Sequence, residues 1–476
     1  MLRVLFAGLF VTASVAAADK PNIVLINIDD LGYGDIGPYG STKNTTPHLD
    51  RMAREGRLLK SHYAAPVCSP SRASLMTGCY PKRAMPTPHV LFPSSAIGLS
   101  PDEVTVAEVL KKAGYVTGCI GKWHLGDQPE FLPTNQGFDY YYGLPYSNDM
   151  GTIEDGAKSN PGAKPPNTRN RKPPRIDPDG IRGNNQPPLP LLENNKVIER
   201  VKAEGQTTIT ARYADKAADF IAKHKDQRFF LYLPHTAVHF PLYPGMKFRG
   251  KSGNGLFSDW VQEVDWAVGR VFEAIRQSGL EKNTLVVFTS DNGGQPRHGA
   301  VNTPLRGGKG STWEGGVRVP TIVWWPGQIP EGTSTMAMTS TMDWLPTFAR
   351  IGGGKTPADR KIDGVDIWPV MTTRGSGPRD EFLYYRGYRL EAVRKGPWKF
   401  VRQKQQLFNL KDDIGESRNV AKDHPAIVKR MQSMVAATQQ DLGLKDVGPG
   451  CRPVGRVENP QPLIGLDGTI REGFQP

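Results

Sequence analysis

The sequence predicts an α/β fold, with a large mixed, mostly parallel sheet sandwiched by helices and a smaller C-terminal antiparallel sheet with a helix. Three observations predict it. Short runs that are almost wholly apolar, such as residues 22–28 and 284–289, have the length of strands and lack polar alternation, as strands covered on both faces do. Segments of helical composition lie between those runs, and the alternation favours a doubly wound sheet. After residue 371 the texture changes to short strands at close spacing, the mark of a separate antiparallel unit.

Taken in order, residues 22–28 read Asn-Ile-Val-Leu-Ile-Asn-Ile and stop abruptly at Asp29-Asp30-Leu31-Gly32, a buried strand meeting a polar loop. Residues 47–55 and 103–112 have helical composition and end at Gly56 and Gly114. Residues 115–120 form a strand followed by Gly121-Lys122-Trp123-His124. The helical stretch 210–223 leads into a strand at 229–233, which ends in Pro234-His235. Trp260, Val264, Val268, Val271 and Ile275 fall on one helical stripe closed by Gly279, ahead of the strand at 284–289. Residues 151–190 are rich in Pro, Gly, Asn, Lys and Arg without apolar periodicity, which fits an exposed insertion bordering a cleft or a plain disordered loop. Strands follow at 382–385, 390–393 and 398–401, with a helix near 425–442. The resulting plan is a signal peptide over 1–18, a catalytic unit over 19–372 with its insertion, and a smaller subdomain over 373–476.

The signal peptide is read from Arg3, the apolar run 4–17 and the small residues Ala16, Ala17 and Ala18 before Asp19, with cleavage after Ala18. No other stretch approaches a membrane span, so the mature chain is expected to be exported, to the periplasm or medium, or to a lysosome in a eukaryote. The full chain carries a formal charge of +13, and loss of Arg3 lowers this to +12. A basic exported protein suits polyanions such as sulfated or phosphorylated polymers. No Lys/Arg block interleaves with aromatics, which argues against nucleic acid. Four cysteines at 68, 79, 119 and 451 are too few for a disulfide scaffold, and no CxxC pair indicates structural zinc.

Ligands of open α/β sheets bind beyond the carboxyl ends of the strands, so polar residues that directly follow strands are the candidates. They are Asp29 and Asp30, Lys122 and His124, His235 and His239, and Asp291 and Asn292. The three carboxylates and one amide are hard oxygen donors that favour Ca²⁺ or Mg²⁺ over zinc, and clustered carboxylates repel unless a cation sits among them. For any one of these Asp residues a helix cap or Asx turn is the alternative. Cys68 precedes Ser69, a good N-cap, and Pro70, suited to a first helical turn. That places Cys68 at the positive end of a helix dipole, one turn from Arg72, as a thiolate nucleophile or as a buried structural cysteine.

The spacing Cys68-x-Pro70-Ser71-Arg72 followed by Leu75-Met76-Thr77-Gly78 resembles the signature of the sulfatase family within the alkaline-phosphatase superfamily. Gly121-Lys122-Trp123-His124-Leu125-Gly126 is similar to its second signature, and Pro145-Tyr146-Ser147-Asn148-Asp149 to its serine segment. Residues 236–241 are similar to its histidine segment. Ser290-Asp291-Asn292-Gly293-Gly294 and the run 308–318 complete the set, and residues 407–420 resemble the family's C-terminal strand and turn.

The resemblance implies that Cys68 is converted to formylglycine by a formylglycine-generating or sulfatase-maturating enzyme. It further implies one Ca²⁺ ion held by Asp29, Asp30, Asp291, Asn292 and residue 68. Arg72 would position the aldehyde hydrate, while Lys122, His239 and Lys309 would bind sulfate oxygens and Ser147 would add a hydrogen bond. His124 would contact the formylglycine. In the implied chemistry a hydroxyl of the hydrate attacks sulfur and His239 protonates the departing alcohol. His124 then takes the proton of the second hydroxyl as free sulfate leaves. His235 is either a further substrate contact or a structural residue, and His89 belongs to a loop or core rim. Trp313 and Tyr142 either shape a sugar rim or pack. The expected activity is a sulfuric ester hydrolase, arylsulfatase-like, acting on a sulfated small molecule or glycan. A phosphoric ester hydrolase of the same superfamily, with two metals, and a non-catalytic glycan-binding protein are the rivals.

Overall fold

The computed structural model describes residues 20–166, 175–373 and 375–476, with side chains left aside at 175–177. The expected signal peptide lies outside the described residues. The elements that build the main body are β1 (Asn22–Ile28), α1 (Pro47–Arg54), β2 (Arg57–Leu59), α2 (Cys68–Thr77), α3 (Val106–Lys112), β3 (Val116–Ile120) and β4 (Tyr140–Gly143). They continue with β5 (Pro190–Glu193), β6 (Lys196–Arg200), α4 (Ala203–Lys223), β7 (Phe229–Pro234), α5 (Leu256–Gln277), β8 (Thr284–Ser290), β9 (Ile322–Trp324), β10 (Thr333–Thr335) and α6 (Trp344–Gly352). The ten strands form one sheet in the order β6-β5-β4-β3-β7-β1-β8-β9-β2-β10. Its centre, β4-β3-β7-β1-β8, is parallel throughout, and β5, β6 and β9 are joined by antiparallel pairings.

All seven residues of β1 are buried, because its alternating side chains feed two cores. Val24, Ile26 and Ile28 pack with Phe288 of β8 and with Trp260, Val264, Val268, Val271 and Ile275, the stripe read from the sequence, now on α5. Ile23 and Leu25 face the other way, onto Leu110 of α3 and Leu345 and Phe348 of α6. This two-sided burial explains why the strands read as unbroken apolar runs.

Some boundaries differ from the sequence reading for local reasons. Helix α3 begins at Val106 rather than 103, because Thr105 and Glu108 form a reciprocal capping box that starts the helix there. Ser69 is not the cap of α2. The helix starts at Cys68 after Val67, and the Ser69 hydroxyl accepts the Leu91 amide at 3.1 Å, so it anchors a neighbouring loop instead. Within 151–190, the short strands Arg175–Asp177 and Gly180–Arg182 pair, and the Phe92 amide donates to the Asp179 carbonyl at 2.7 Å. No helix among the described residues is long and apolar enough to cross a membrane.

The C-terminal sheet is β11 (Glu381–Arg386), β12 (Arg389–Lys395), β13 (Trp398–Val401) and β14 (Gln406–Asn409), antiparallel in that order, with α7 (Pro425–Asp441) against it. Tyr384, Phe400, Leu407 and Met431 share a core with Tyr63, Val317 and Met342 of the main body. A buried ion network crosses the same junction: Lys399 lies 3.0 Å from Glu314 and 2.7 Å from Glu416, and the Tyr384 hydroxyl donates to Glu314 at 3.0 Å. Burial works against ionisation of Glu314, but Lys399 and Arg318 override it and hold its carboxyl down at about 2.

Because Leu25 is fully buried at the centre of the sheet, Leu25→Ala is expected to cost about 2–5 kcal/mol. Urea unfolding followed by tryptophan fluorescence reads this as an earlier midpoint; an unchanged midpoint contradicts the packing described.

Candidate active site

Strand register brings the candidates together. In the β1–β8 pairing Ile28 stands opposite Ser290, so the doublets Asp29-Asp30 and Asp291-Asn292 leave adjacent strand ends side by side. Strand β3 delivers Lys122 and His124, and β7 delivers the loop that carries His239. Helix α2 starts beneath them with Cys68 in its first turn. Its Sγ lies 3.3 Å from Asp29 Oδ1, and Cys68 is 1% exposed. One turn on, Arg72 donates through Nε and a terminal nitrogen to Asp291 Oδ2, at 2.9 and 2.8 Å, and through the other terminal nitrogen to the Lys122 carbonyl.

Lys122 Nζ donates to Asp29 Oδ2 at 2.5 Å and to the Ser147 hydroxyl at 3.1 Å. Lys309 Nζ donates to the Asp30 carboxylate, 2.7 Å from Oδ1. Arg72, Lys122 and Lys309 thus match Asp29, Asp30 and Asp291 charge for charge. The protein thus supplies part of the compensation itself, but burial and the neighbouring Asp29 still raise the Asp291 carboxyl, so the cluster retains room for a further positive charge. Burial opposes ionisation of Asp29, yet Lys122, His239 and Arg72 hold its carboxyl well below the usual range. Burial pushes Lys309 down, and Asp30 and its neighbours outweigh that and raise it well above an ordinary lysine. Burial and Asp29 drive the Cys68 thiol well up, so a bare thiolate is disfavoured.

What the donor set does offer is a place for a metal ion. Ligand atoms of Asp29, Asp30, Cys68 and His239 all lie within 4.8 Å of one another. The Asn292 amide nitrogen donates to Asp30 Oδ1 at 2.8 Å, while its buried Oδ1 has no partner among the described residues. A buried amide oxygen without a donor beside two carboxylates is an open ligand position.

The histidines differ in state. His124 is 1% exposed, with a backbone φ of +66°, and its Nε2 lies 2.9 Å from the Leu91 carbonyl. That bond places the proton on Nε2 and leaves Nδ1, which has no partner among the described residues, as an acceptor. Burial, with Lys122 and Arg72 nearby, holds the ring well below its usual pKa and so neutral. His239 sits 13% exposed at the cleft, its Nδ1 donating to the Phe240 carbonyl at 2.6 Å and its Nε2 3.8 Å from Asp30. His235 does not join them. It is fully buried, its ring edge-on to Tyr213, and burial lowers it to about 4; it has no place in the cleft lining, so the reading of it as a substrate contact is not supported.

Above this floor opens a cleft of about 300 Å³ lined by Cys68, His124, Ser147, His239 and Lys309. Sequence reasoning missed several of its walls: Asp149, whose carboxylate lies 4.0 Å from His239 Nδ1, and Phe240 stacked on His298 with ring centres 4.7 Å apart. Asp149 was within reach of the sequence, two residues after Ser147 in the same segment. His298 was not, since no strand end or spacing points to it. Tyr142 is 3% exposed and packs in the core, whereas His89 does line the cleft.

The family model described as Sulfatase matches residues 21–354. The chain belongs to the sulfatase family. A second model, the C-terminal region of N-sulphoglucosamine sulphohydrolase, matches residues 308–441. The chain is 42% identical to arylsulfatase A of Bos taurus over 404 residues, 82% of this chain and 76% of that one. It is 38% identical to N-acetylgalactosamine-6-sulfatase of Sus scrofa over 414 residues, 83% and 73% of the two chains. Among solved structures, Ps i-CgsB in complex with k-i-k-neocarrahexaose aligns at a TM-score of 0.72 and 33% identity, covering 88% of this chain and 92% of that one. PsFucS1 sulfatase from Pseudoalteromonas sp. aligns at 0.74 and 27% identity, covering 90% and 92%. This sulfatase is accordingly a sulfuric ester hydrolase.

Arg72→Met strips buried Asp291 of its cation and is expected to cost about 3–5 kcal/mol. Arg72→Lys restores the charge but not the three-donor geometry and should stay below wild type in thermal midpoint. Full recovery by Lys overturns the geometric reading.

Proposed function

We propose that the enzyme is an exported, calcium-dependent, formylglycine sulfatase acting on a sulfated carbohydrate. The observation that carries this reading is Cys68 in the first turn of α2, on the floor of the cleft, within reach of Asp29 and one turn from a fully buried Arg72. Cysteine at that place is a poor nucleophile as it stands, since burial and Asp29 oppose its ionisation. Conversion to formylglycine by a maturation enzyme removes that obstacle. Asp29, Asp30, Asp291, Asn292 and residue 68 are the proposed calcium ligands. When bound, the ion supplies Lewis-acid polarisation, and the hydrated aldehyde supplies an acidified hydroxyl with a second one for sulfate release.

The remaining work falls to this chain's own side chains. Arg72 holds Asp291 and the Lys122 carbonyl in place. Lys122, Lys309 and Ser147 stabilise charge that develops on the sulfuryl oxygens. His239 in its doubly protonated form keeps Nδ1–H on the Phe240 carbonyl and gives the Nε2 proton to the leaving alcohol, ending as the neutral ring. His124 Nδ1, unprotonated and unpartnered, is the acceptor for the second hydroxyl proton. A divalent ion, when bound, would add positive charge beside the place proposed for the sulfate monoester anion. The carbohydrate assignment is supported by the basic charge of the chain and by the saccharides in the names of its relatives. The signal-peptide pattern of residues 1–18 supports export.

Cys68→Ala is expected to abolish turnover with an unchanged circular dichroism spectrum, and the residue-68 peptide from the native host should carry the mass of the aldehyde. An unmodified thiol in active enzyme contradicts the mechanism. Calcium chelation should lower the rate and calcium restore it. An aryl sulfate should be hydrolysed well ahead of the corresponding aryl phosphate; the reverse order supports the phosphatase rival.

A further inference from the structure

A second hollow, of about 290 Å³, adjoins the active-site cleft on the side of the C-terminal sheet. Gly310 belongs to the walls of both. It has φ +81°, and a Cβ built on it meets nothing within 4 Å, so the ridge between the two spaces is bare backbone. One wall of the hollow is the segment that also carries Lys309, through Ser311, Thr312 and Trp313. The other comes from the β11–β12 and β13–β14 hairpins, through Arg386, Gln403 and Lys404.

The lining has the chemistry of a sugar site. Trp313 is only partly buried, in contact with Phe408 at 6.0 Å between ring centres, with the Arg306 guanidinium 3.8 Å from its ring centre. Lys404 Nζ lies 5.7 Å from the same ring. Arg306 lies over the ring, so the partly exposed indole meets a pyranose through the surface left open, with Gln403 and Lys404 as donors to its hydroxyls. The charge is unbalanced as well. Arg386 is paired with Glu391 at 2.7 Å, whereas exposed Lys404 has no carboxylate partner among the described residues. The loop that holds Trp313 is also held from below, where Lys399 Nζ donates to the Thr312 carbonyl at 2.7 Å and the Thr312 hydroxyl donates to Glu391 at 2.8 Å. The two spaces are therefore fixed relative to one another by side chains of the C-terminal sheet.

We propose that this hollow is a saccharide subsite that holds the sugar residue next to the one being desulfated, with an anionic substituent of that residue meeting Lys404. The proposal rests on the cleft being the site of sulfate removal, and it narrows the substrate to an oligosaccharide bearing sulfate or carboxylate on neighbouring residues. Trp313 supplies an apolar contact and Lys404 the charge that selects a polyanionic over a neutral chain.

The test uses matured full-length enzyme and its Lys404→Glu variant, with three probes: an aryl sulfate, a sulfated galactan hexasaccharide, and a sulfated tetrasaccharide of alternating N-acetylgalactosamine and uronic acid. The expected result is a fall of about fivefold or more in kcat/KM for one of the oligosaccharides relative to that for the aryl sulfate, carried by KM. The same charge reversal on a Cys68→Ala background should weaken binding of that oligosaccharide in calorimetry, a readout independent of turnover. An equal change on all three probes, or no change on any, overturns the proposal. So does failure of the Cys68→Ala protein to bind either oligosaccharide while matured wild type turns over the aryl sulfate. Binding that depends on Lys404 in an enzyme inert toward every sulfate ester instead sinks the catalytic reading and leaves the subsite standing.

Discussion

Three carboxylates buried at the ends of two neighbouring parallel strands are the constraint around which this enzyme is organised. The β1–β8 register leaves Asp29, Asp30 and Asp291 in one dry place, and unpaired charge there is prohibitively costly. Arg72, Lys122 and Lys309 come from three different parts of the chain to meet them, so the helix, the β3 loop and the 308–318 segment are all tied to the sheet by charge. The groups that stabilise the folded site are the same ones proposed for its chemistry. Lys309, which balances Asp30, also lines the cleft, whereas Lys122 is buried between Asp29 and the Ser147 hydroxyl.

The C-terminal sheet takes part in this arrangement. Lys399 and Glu416 reach under the loop that bears Lys309, and Glu314 receives Lys399, Arg318 and two tyrosine hydroxyls in a junction closed to water. A buried network of this kind gains little net stability over an apolar core, and its value lies in holding one geometry. Here the geometry held is that of the loop separating the cleft from the hollow beside Trp313.

Much of the site was legible in the chain because open α/β sheets place ligands at strand ends, and strands buried on both faces announce themselves as apolar runs. Asp29, Asp30, Asp291, Asn292, Lys122 and His124 follow such runs directly, and Cys68 and Arg72 share a helix at a spacing of four. His235 shows where that logic stops. It follows a strand as well as any of them, yet the chain turns its ring into the core against Tyr213, and His239 reaches the cleft in its place. Ser69 failed for a similar reason: its hydroxyl had a better partner in the Leu91 amide, a contact between residues 22 apart.

By itself, the sequence determined the doubly wound sheet, the family and the inventory of reactive groups, because these depend on periodicity and local spacing. Only the tertiary structure decided the charge balance, the tautomer of His124, the walls formed by Asp149, Phe240 and His298, and the bare Gly310 ridge leading to Trp313 and Lys404. Those depend on pairs of residues tens to hundreds of positions apart, whose distance is set by strand register and loop packing and leaves no local trace in the chain.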